Sequence, residues 1–386
     1  MKKVVIRAPL LSKSGYGEHS RQVFQYLLSQ PNLDVKTQVV PWGITPWNVN
    51  PESYNGLAGE AERRTSAEKD NFDVSFQVQL PNEWDPNLAK FNVGVTAGVE
   101  TDKCNPMWTS VHCSKMDCVI VPSNHTKDTF LASGATQTPI YVVPEAYFPE
   151  LLDTPQDLKL DFTTDFNFLT VGVLTGVTPD TDRKNLFYLI KWFVEEFKND
   201  TDVGLIIKTN RGRETAIDRT VTKKMLKQLL EEIGHRGTPK IYLLHGDMNR
   251  NEMNSLYRDD RVKALISATR GEGFGLPFLE ASVAELPVLA TNWSAHTEFL
   301  NKGKWIKIKY VLSEISPERV EGNIFVAGAN WANPLEQSIK SSLRKFKNSP
   351  QLPYTWAKNL SVKLKEEYSI TKIMRHYDEA VGDILR

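Results

Sequence analysis

Short β-branched segments alternate with longer amphipathic segments along this chain, and the pattern starts afresh near its middle. Such alternation is typical of βαβ units, in which helices join parallel strands. In the first half, the segments with strand character are residues 4–8, 35–40, 74–78, 92–96, 118–121 and 140–143, and those with helical spacing are residues 18–28 and 123–133. The sequence therefore predicts an α/β protein whose first Rossmann-like domain spans residues 1–150.

A polar stretch with prolines and no periodicity follows, so residues 151–165 are predicted to be an interdomain linker. The alternation then resumes, which predicts a second Rossmann-like domain over residues 166–355. Its strand segments are residues 168–173, 203–208, 241–244, 262–266 and 288–290, and its helical segments are residues 185–197, 220–233, 250–257 and 277–284. From residue 331 onward the spacing is helical without strand signals, and residues 356–386 are predicted to be a terminal helix.

The composition excludes several classes of protein. The 47 basic and 47 acidic side chains cancel, so no net charge attracts the chain to nucleic acid or anionic lipid. No apolar run approaches the roughly 18 residues that a membrane-spanning helix needs. The 3 cysteines form no CxxC pair, which fits reduced thiols and matches no zinc pattern. We expect a soluble, cytoplasmic protein.

The most informative motif is a strand, a glycine-rich turn, a helix and a second strand in series. Alternate glycines from Gly271 to Gly275 let the backbone approach a ligand and leave amides unpaired. Pro277 suits the first turn of a helix, whose N-terminus attracts anions such as a diphosphate. Glu272 is predicted to lie on this turn and Glu280 in the opening turn of the helix. A carboxylate so placed can accept hydrogen bonds from ribose hydroxyls. Taken alone, the glycines would equally fit an ordinary tight turn.

The two glutamates resemble the Glu-x7-Glu motif of family 4 glycosyltransferases, and residues 287–291 with Glu298 are similar to the segment that follows it in that family. The resemblance implies a retaining enzyme of the GT-B fold. In that fold two Rossmann-like domains face a central cleft, and C-terminal helices cross back to the first domain. It also implies that Glu280 binds the ribose of a nucleotide-sugar donor and that Glu272 contacts the donor sugar at the reacting centre. The donor-binding turn would then be Gly273, Phe274, Gly275 and Leu276.

Two further segments resemble phosphate-binding parts of the family. Gly15, Tyr16 and Gly17 follow the first predicted strand, as does the family's glycine loop beneath the donor phosphates. Arg183 and Lys184 follow the first strand of the second domain and resemble the basic turn that holds the diphosphate. A solvated helix start is the alternative interpretation of that basic pair.

The chain departs from the family pattern in the turn that is predicted to bind the diphosphate. Many members carry an arginine directly after the glycine that ends the strand, where this chain has Val173. Either Arg183 or Lys208, at the end of another predicted strand, would replace it, and the sequence leaves the choice open. Asp180 and Asp182 match a metal-binding Asp-x-Asp by letters, but they stand in the turn assigned to phosphate. We therefore expect neither a metal nor a cofactor.

The acceptor side is predicted in the first domain. The strand that includes residues 92–96 is predicted to end in Glu100 and Asp102. Relatives often place a histidine in this region, near the reacting centre. Either carboxylate could act in catalysis there, and the alternative is a turn cap followed by an exposed acid.

The expected activity is transfer of a sugar from a nucleoside-diphosphate donor, UDP- or GDP-linked, to a hydroxyl of a glycan, lipid or small molecule. Three alternatives stay open: a sugar-phosphate phosphatase or epimerase, a non-catalytic nucleotide-sugar binding subunit, and a transferase that modifies a base in DNA. The neutral charge disfavours the last, because phosphate contacts dominate affinity for DNA.

Overall fold

In a computed structural model, which describes residues 1–66, 71–176 and 178–386, the chain forms two compact units. The first unit contains Met1–Ala146 together with Gly322–Val326 and Ile370–Arg386. The second contains Tyr147–Glu321 and Ala327–Ser369. Among the described residues, no helix combines the length and apolar character that crossing a membrane requires.

The first unit is built on a parallel sheet of 6 strands in the order β2-β1-β3-β4-β5-β6. Val4, Val5 and Ile6 on a central strand are fully buried, as expected where helices cover both faces of a parallel sheet. The strands are β1 (Lys2–Ala8), β2 (Leu33–Val39), β3 (Phe72–Val78), β4 (Ala89–Val95), β5 (Cys118–Val121) and β6 (Ile140–Val142), and the helices are α1 (Gly15–Leu28), α2 (Leu57–Arg63) and α3 (Asn124–Ser133).

The second unit also has a parallel sheet of 6 strands, in the order β12-β11-β10-β7-β8-β9. A separate antiparallel hairpin, β13-β14, follows it. The strands are β7 (Phe166–Val171), β8 (Val203–Thr209), β9 (Lys240–His245), β10 (Val262–Ser267), β11 (Val288–Thr291), β12 (Ile306–Ile308), β13 (Tyr310–Glu314) and β14 (Asn330–Pro334). The helices are α4 (Leu186–Glu196), α5 (Ala216–Glu232), α6 (Arg250–Tyr257), α7 (Leu276–Val283), α8 (His296–Leu300), α9 (Glu336–Asn348) and α10 (Gln351–Glu367), and a last helix, α11 (Ile370–Leu385), belongs to the first unit.

The strand order of the second sheet locates a candidate site. Counted within this unit, the order is 3-2-1-4-5-6, as in dinucleotide-binding folds. The direction of strand addition reverses between β7 and β10, and ligands of open α/β sheets bind beyond the carboxyl ends of the strands at such a switch point. The turns that leave β7 and β10 are those with Lys184 and Glu272.

Every strand and helix predicted for the two halves is present. The helical interpretation of the chain from residue 331 was wrong at its start, because β14 pairs with β13 across a long connection that local spacing does not report. The unit boundary lies at residue 146 rather than 150. The predicted linker packs on the second unit, where Arg258 donates to the carbonyl of Leu151 at 2.9 Å and Arg261 to that of Leu160 at 2.9 Å.

The end of the chain also differs from the prediction. Residues 356–386 form parts of two helices, and only α11 joins the first unit. The preceding helix stays with the second unit, where the hydroxyl of Ser361 donates to the carbonyl of Val283 on α7 at 2.8 Å.

Candidate active site

The turn between β7 and α4 is organised by the buried carboxylate of Asp182. One of its oxygens accepts hydrogen bonds from the amide and the hydroxyl of Thr175, at 3.1 and 2.8 Å. The other accepts from the amide of Leu186 at 2.7 Å, which caps the start of α4. Both oxygens of Asp182 are therefore engaged by the protein, and the aspartate serves the backbone of this turn.

A buried arginine, Arg270, which was not predicted from the sequence, donates hydrogen bonds to the backbone of the same turn. Nη1 of Arg270 lies 3.0, 3.0 and 3.1 Å from the carbonyl oxygens of Pro179, Asp180 and Asp182. Its guanidinium stacks on Trp331, 4.8 Å from the ring centroid. These contacts fix the backbone from which the next basic residues project. Sequence alone gave no signal for them, because the acceptors are main-chain carbonyls from a distant segment.

Arg183 and Lys184 meet Glu272 at the switch point. Nζ of Lys184 lies 2.7 and 2.8 Å from the two oxygens of Glu272. Nη1 of Arg183 is 3.3 Å from Glu272 Oε2 and donates to the carbonyl of Gly271 at 2.6 Å. The hydroxyl of Thr269 donates to Glu272 Oε1 at 2.7 Å. The three side chains predicted to hold the diphosphate and the donor sugar thus form one cluster.

Burial makes this cluster electrostatically strong. The side chains of Glu272, Arg183 and Lys184 are 7%, 11% and 18% exposed, so solvent screens their charges only weakly. Burial alone would raise the pKa of Glu272. The charges of Lys184 and Arg183 outweigh burial and lower this pKa to about 2. Two cations face one carboxylate, which leaves the cluster with an excess of positive charge.

The glycine-rich turn lies between this cluster and the start of α7. Gly275 has φ +98°, and a Cβ there would lie 2.9 Å from atoms of both His296 and Phe278, so the position requires glycine. Phe274 is buried against Phe299, with ring centroids 5.4 Å apart. Gly273 and Leu276 are half-buried beside it. The turn therefore presents backbone, rather than side chains, ahead of the helix.

Glu280 lies one turn inside α7, not in its opening turn as predicted. Its Oε2 accepts a hydrogen bond from the hydroxyl of Tyr257 at 2.9 Å. Burial, and then the charge of Glu280, raise the pKa of Tyr257, so the tyrosine stays a donor. Sequence reasoning found the carboxylate but not the tyrosine that orients it.

Lys208 contacts another segment of the second unit. It lies near the end of β8, as predicted, and its ammonium donates to the carbonyl of Gly246 at 2.5 Å. Of the two residues proposed to replace the family's arginine, Arg183 is the one that contacts Glu272.

In the first unit, Gly15, Tyr16 and Gly17 form the first turn of α1 rather than a loop. The hydroxyl of Ser14 caps the helix by accepting from the amide of Gly17 at 3.1 Å. A Cβ at Gly17 would lie 2.0 Å from the carbonyl oxygen of Ser12, so this glycine permits a close backbone approach. The hydroxyl of Tyr16 lies 2.9 Å from that of Thr96, just beyond β4.

Glu100 and Asp102 lie farther from the strand than predicted. Strand β4 ends at Val95, and both carboxylates follow in the connection after it. Gly98 turns the chain there with φ +68°, and a Cβ would lie 2.3 Å from a side-chain carbon of Thr126. Both acids are half-buried in this connection. Their roles stay predictions, as do those of the other site residues.

Within the described ranges, no group of three or more histidine, cysteine, aspartate or glutamate side chains is placed to hold a metal ion. Metal independence itself stays a prediction.

A family model matches part of the second unit. Residues 173–324 match the family model described as "Glycosyl transferases group 1". The match is to a glycosyltransferase domain. It includes Arg183, Lys184, Glu272 and Glu280 but covers less than half of the chain.

A curated relative matches part of the chain. It is a sucrose synthase from Melioribacter roseus, 25% identical over 170 residues. The match covers 42% of this chain and 21% of that protein, so the chain spans only a small part of the relative.

Solved structures match the whole chain. They include a sucrose-phosphate synthase from Thermosynechococcus elongatus, with a TM-score of 0.67, 12% identity and coverage of 100% of this chain and 99% of the other. The Anabaena protein HepE, in complex with UDP and glucose, matches with a TM-score of 0.64 and 12% identity over 99% of this chain and 100% of its own. At these identities the likeness concerns the fold, which is GT-B.

Proposed function

We propose that this protein is a retaining glycosyltransferase that moves a sugar from a nucleoside-diphosphate donor to a hydroxyl group, without a metal ion. The observation that carries the proposal is the buried cluster of Lys184, Arg183 and Glu272 at the switch point of the second sheet. The match of residues 173–324 to a glycosyltransferase family supports it.

The donor is assigned to the second unit. Lys184, Arg183 and the first amides of α7 bind the diphosphate, since a helix N-terminus and paired cations suit phosphate oxygens. The amides at the start of α1 are a second proposed phosphate contact. Glu280, oriented by Tyr257, accepts hydrogen bonds from the ribose hydroxyls. Glu272 and the turn from Gly273 to Gly275 contact the donor sugar.

The reaction breaks the bond between the anomeric carbon and the diphosphate oxygen while the acceptor oxygen bonds to that carbon on the same face. The acceptor's proton passes to the departing phosphate oxygen. Negative charge grows on the diphosphate as it leaves, and the fixed cations and amides stabilise it there. Glu100 or Asp102 positions the acceptor hydroxyl on the first unit.

UDP is the first nucleotide to test, because the Anabaena HepE structures contain UDP, UDP-glucose or UDP and glucose. Calorimetry with UDP, GDP and ADP, followed by transfer assays with their sugars, identifies the donor. The anomeric configuration of the product, read by NMR, tests retention, and an assay with EDTA tests metal independence. Release of inorganic phosphate, an epimerised nucleotide sugar, or binding without turnover would each replace the proposal with one of the alternative activities.

The central variant is Lys184→Met. Losing the ammonium should weaken binding of the nucleoside diphosphate by about 10- to 150-fold, the range for a hydrogen bond to a charged group. Lys191→Met is the matched control, because Lys191 on α4, the helix that follows Lys184, is half-buried and pairs with Glu195 of that helix. Equal affinities in the two variants would contradict the assignment.

A further inference from the structure

The backbone of Glu272 is held by a segment that the proposed function leaves unused. The amide of Glu272 donates to the hydroxyl of Ser294 at 2.9 Å, and the carbonyl of Glu272 accepts from the amide of Ala295 at 3.3 Å. Both peptide groups that flank the Glu272 side chain are therefore fixed by two consecutive residues between β11 and α8.

Ser294 makes these contacts from a strained backbone. Its φ is +77°, in the left-handed region that residues with a Cβ disfavour. The amide and the hydroxyl of Thr297 donate to its carbonyl at 3.1 and 2.8 Å, which keeps it there. Strain of this kind persists only where the surroundings enforce it, and it is concentrated at functional sites.

A buried histidine completes the segment. Nε2 of His296 lies 2.8 Å from the carbonyl oxygen of Thr291, and because a carbonyl only accepts, this nitrogen carries the proton. Nδ1 is then an acceptor, 3.4 Å from the hydroxyl of Ser294. The hydrogen bonds run in one direction, from the Glu272 amide through Ser294 to His296. The ring also stacks on Phe278 of α7, with centroids 4.6 Å apart.

We propose that Ser294 and His296 are positioning residues that hold the Glu272 turn in the geometry required for sugar transfer. A serine is present at a position that favours glycine because its hydroxyl is needed by the Glu272 amide. The inference rests on the proposed role of Glu272 at the donor sugar. It adds two residues that touch no substrate and act through the backbone of a third.

Two substitutions separate the hydroxyl from the strain. Ser294→Ala and Ser294→Gly both remove the hydroxyl, but only glycine relieves the strain at φ +77°. The apparent Tm of Ser294→Gly should exceed that of Ser294→Ala by about 2–4 °C. Turnover should fall by about 10- to 100-fold in both variants, because small misplacements at a reacting centre have effects of that size. Nucleoside-diphosphate affinity should stay within about threefold of the original.

Amide hydrogen exchange tests the hydrogen bond between the Glu272 amide and Ser294 without relying on activity. Exchange at the Glu272 amide should accelerate at least about tenfold in both Ser294 variants, since that hydrogen bond is lost. His296→Asn keeps an acceptor near the place of Nδ1 and should retain more protection and turnover than His296→Leu. Glu285→Gly is the matched control. Glu285 also has a positive φ, +67°, just after α7, but the backbone hydrogen bonds of its turn are to Ala281 and Ser282 rather than to Glu272. It should leave exchange at Glu272 and turnover unchanged.

The outcomes distinguish this inference from the proposed function. If the original protein transfers no sugar from any donor, the proposed function fails. Exchange at the Glu272 amide still decides whether Ser294 holds the backbone of Glu272. If turnover follows Tm, so that Ser294→Gly is more active than Ser294→Ala, Ser294 has only a structural role and the inference is overturned. Unchanged exchange at Glu272 in both variants overturns it as well.

Discussion

Each unit places a buried arginine beside the loop that leaves its first strand, yet the two loops end differently. In the first unit, Arg21 donates to the carbonyls of Leu10 and Ser12 at 2.9 and 3.0 Å, and a serine-capped helix start follows. In the second unit, Arg270 holds three carbonyls of the corresponding turn, and the basic pair at Glu272 follows.

The two loops differ in the charged side chains that they carry. The scaffold is the same in both units: a parallel strand, an arginine-held loop and a helix. At this loop the second unit has two cations and one buried carboxylate, where the first unit has the ion pair of Arg21 with Glu18 at 2.7 Å. Fold alone therefore identifies two equivalent sheet edges, and the proposed function assigns the donor diphosphate to the edge with the two cations. In the first unit the loop offers backbone amides and aromatic rings, such as Tyr16 stacked on Trp42 with centroids 3.7 Å apart.

The largest expected effect would show that a charged side chain of the first unit also acts in catalysis. Glu100→Gln should lower turnover by about 10²- to 10⁴-fold, the range for positioning or proton transfer at a reacting centre. Donor affinity should change little, because the donor is assigned to the second unit. Steady-state kinetics beside calorimetry with the nucleoside diphosphate gives both numbers.

Asp102→Asn is the paired variant for this test. Near-normal turnover in Glu100→Gln, with loss only in Asp102→Asn, would transfer the role to Asp102. Full activity in both would place the acceptor elsewhere than the connection after β4.

The next prediction concerns how the stability of the protein at acid pH depends on Glu272. The pKa of Glu272 is about 2 in the folded protein against an ordinary value of 4.5. Because the folded value is depressed, the stabilisation is complete above about pH 4.5 and is lost as the pH falls toward 2; it amounts to about 3 kcal/mol. Glu272→Gln should remove this part of the acid dependence, as measured by urea unfolding between pH 7 and pH 2.5. An unchanged acid slope in the variant would contradict the compensated cluster.

A buried histidine of the first unit provides the internal reference for that measurement. Burial lowers the pKa of His19 in the first unit and of His296 in the second to about 4, from 6.5. A base whose pKa is depressed on folding stabilises the protein fully above pH 6.5, and the contribution is lost as the pH falls toward 4. The His19 part of this higher window is the reference and should be the same in Glu272→Gln and in the original protein. The His296 part should move to lower pH in Glu272→Gln, because the charge of Glu272 raises the pKa of His296.

Sequence predicted the elements and most of the charged site because both depend on local signals. Strand and helix periods survive in single segments, and Glu272 and Glu280 are recognisable from their spacing across a glycine turn. The partners of these residues depend on distant chain. Arg270 binds carbonyls about ninety residues away, and neither its sequence neighbours nor its spacing reveals them.

The errors have different causes. Gly15 and Gly17 were expected to form a loop from the resemblance to the family, but the hydroxyl of Ser14, a local cap, starts the helix before them. Strand β14 was missed because its partner, β13, lies across a long connection. Ser294 carried no sequence signal, since a serine letter does not report a positive φ.

A smaller effect concerns the ribose contact of the charged unit. Glu280→Gln keeps one acceptor but loses the charge-assisted bonds, so nucleoside-diphosphate binding should weaken by about 1.5–3 kcal/mol. Tyr257→Phe removes the hydroxyl that donates to Glu280 at 2.9 Å and should weaken binding less, because the carboxylate stays. Calorimetry on both variants checks this order. An unchanged dissociation constant in folded Glu280→Gln would mean that the carboxylate only orients Tyr257.

The smallest expected effect tests whether the start of α1 contacts the donor through its backbone alone. Tyr16→Phe removes the hydroxyl that contacts Thr96 at 2.9 Å and accepts from the amide of Ala97 at 3.1 Å, but keeps the ring stacked on Trp42. Stability should fall by about 0.5–1.5 kcal/mol in urea unfolding, the usual size for a lost hydrogen bond. UDP affinity should stay the same, because the amides at the start of α1 are unaffected. If UDP binding weakens tenfold while stability holds, the Tyr16 hydroxyl itself contacts the ligand, and the first unit is not limited to backbone contacts with the donor.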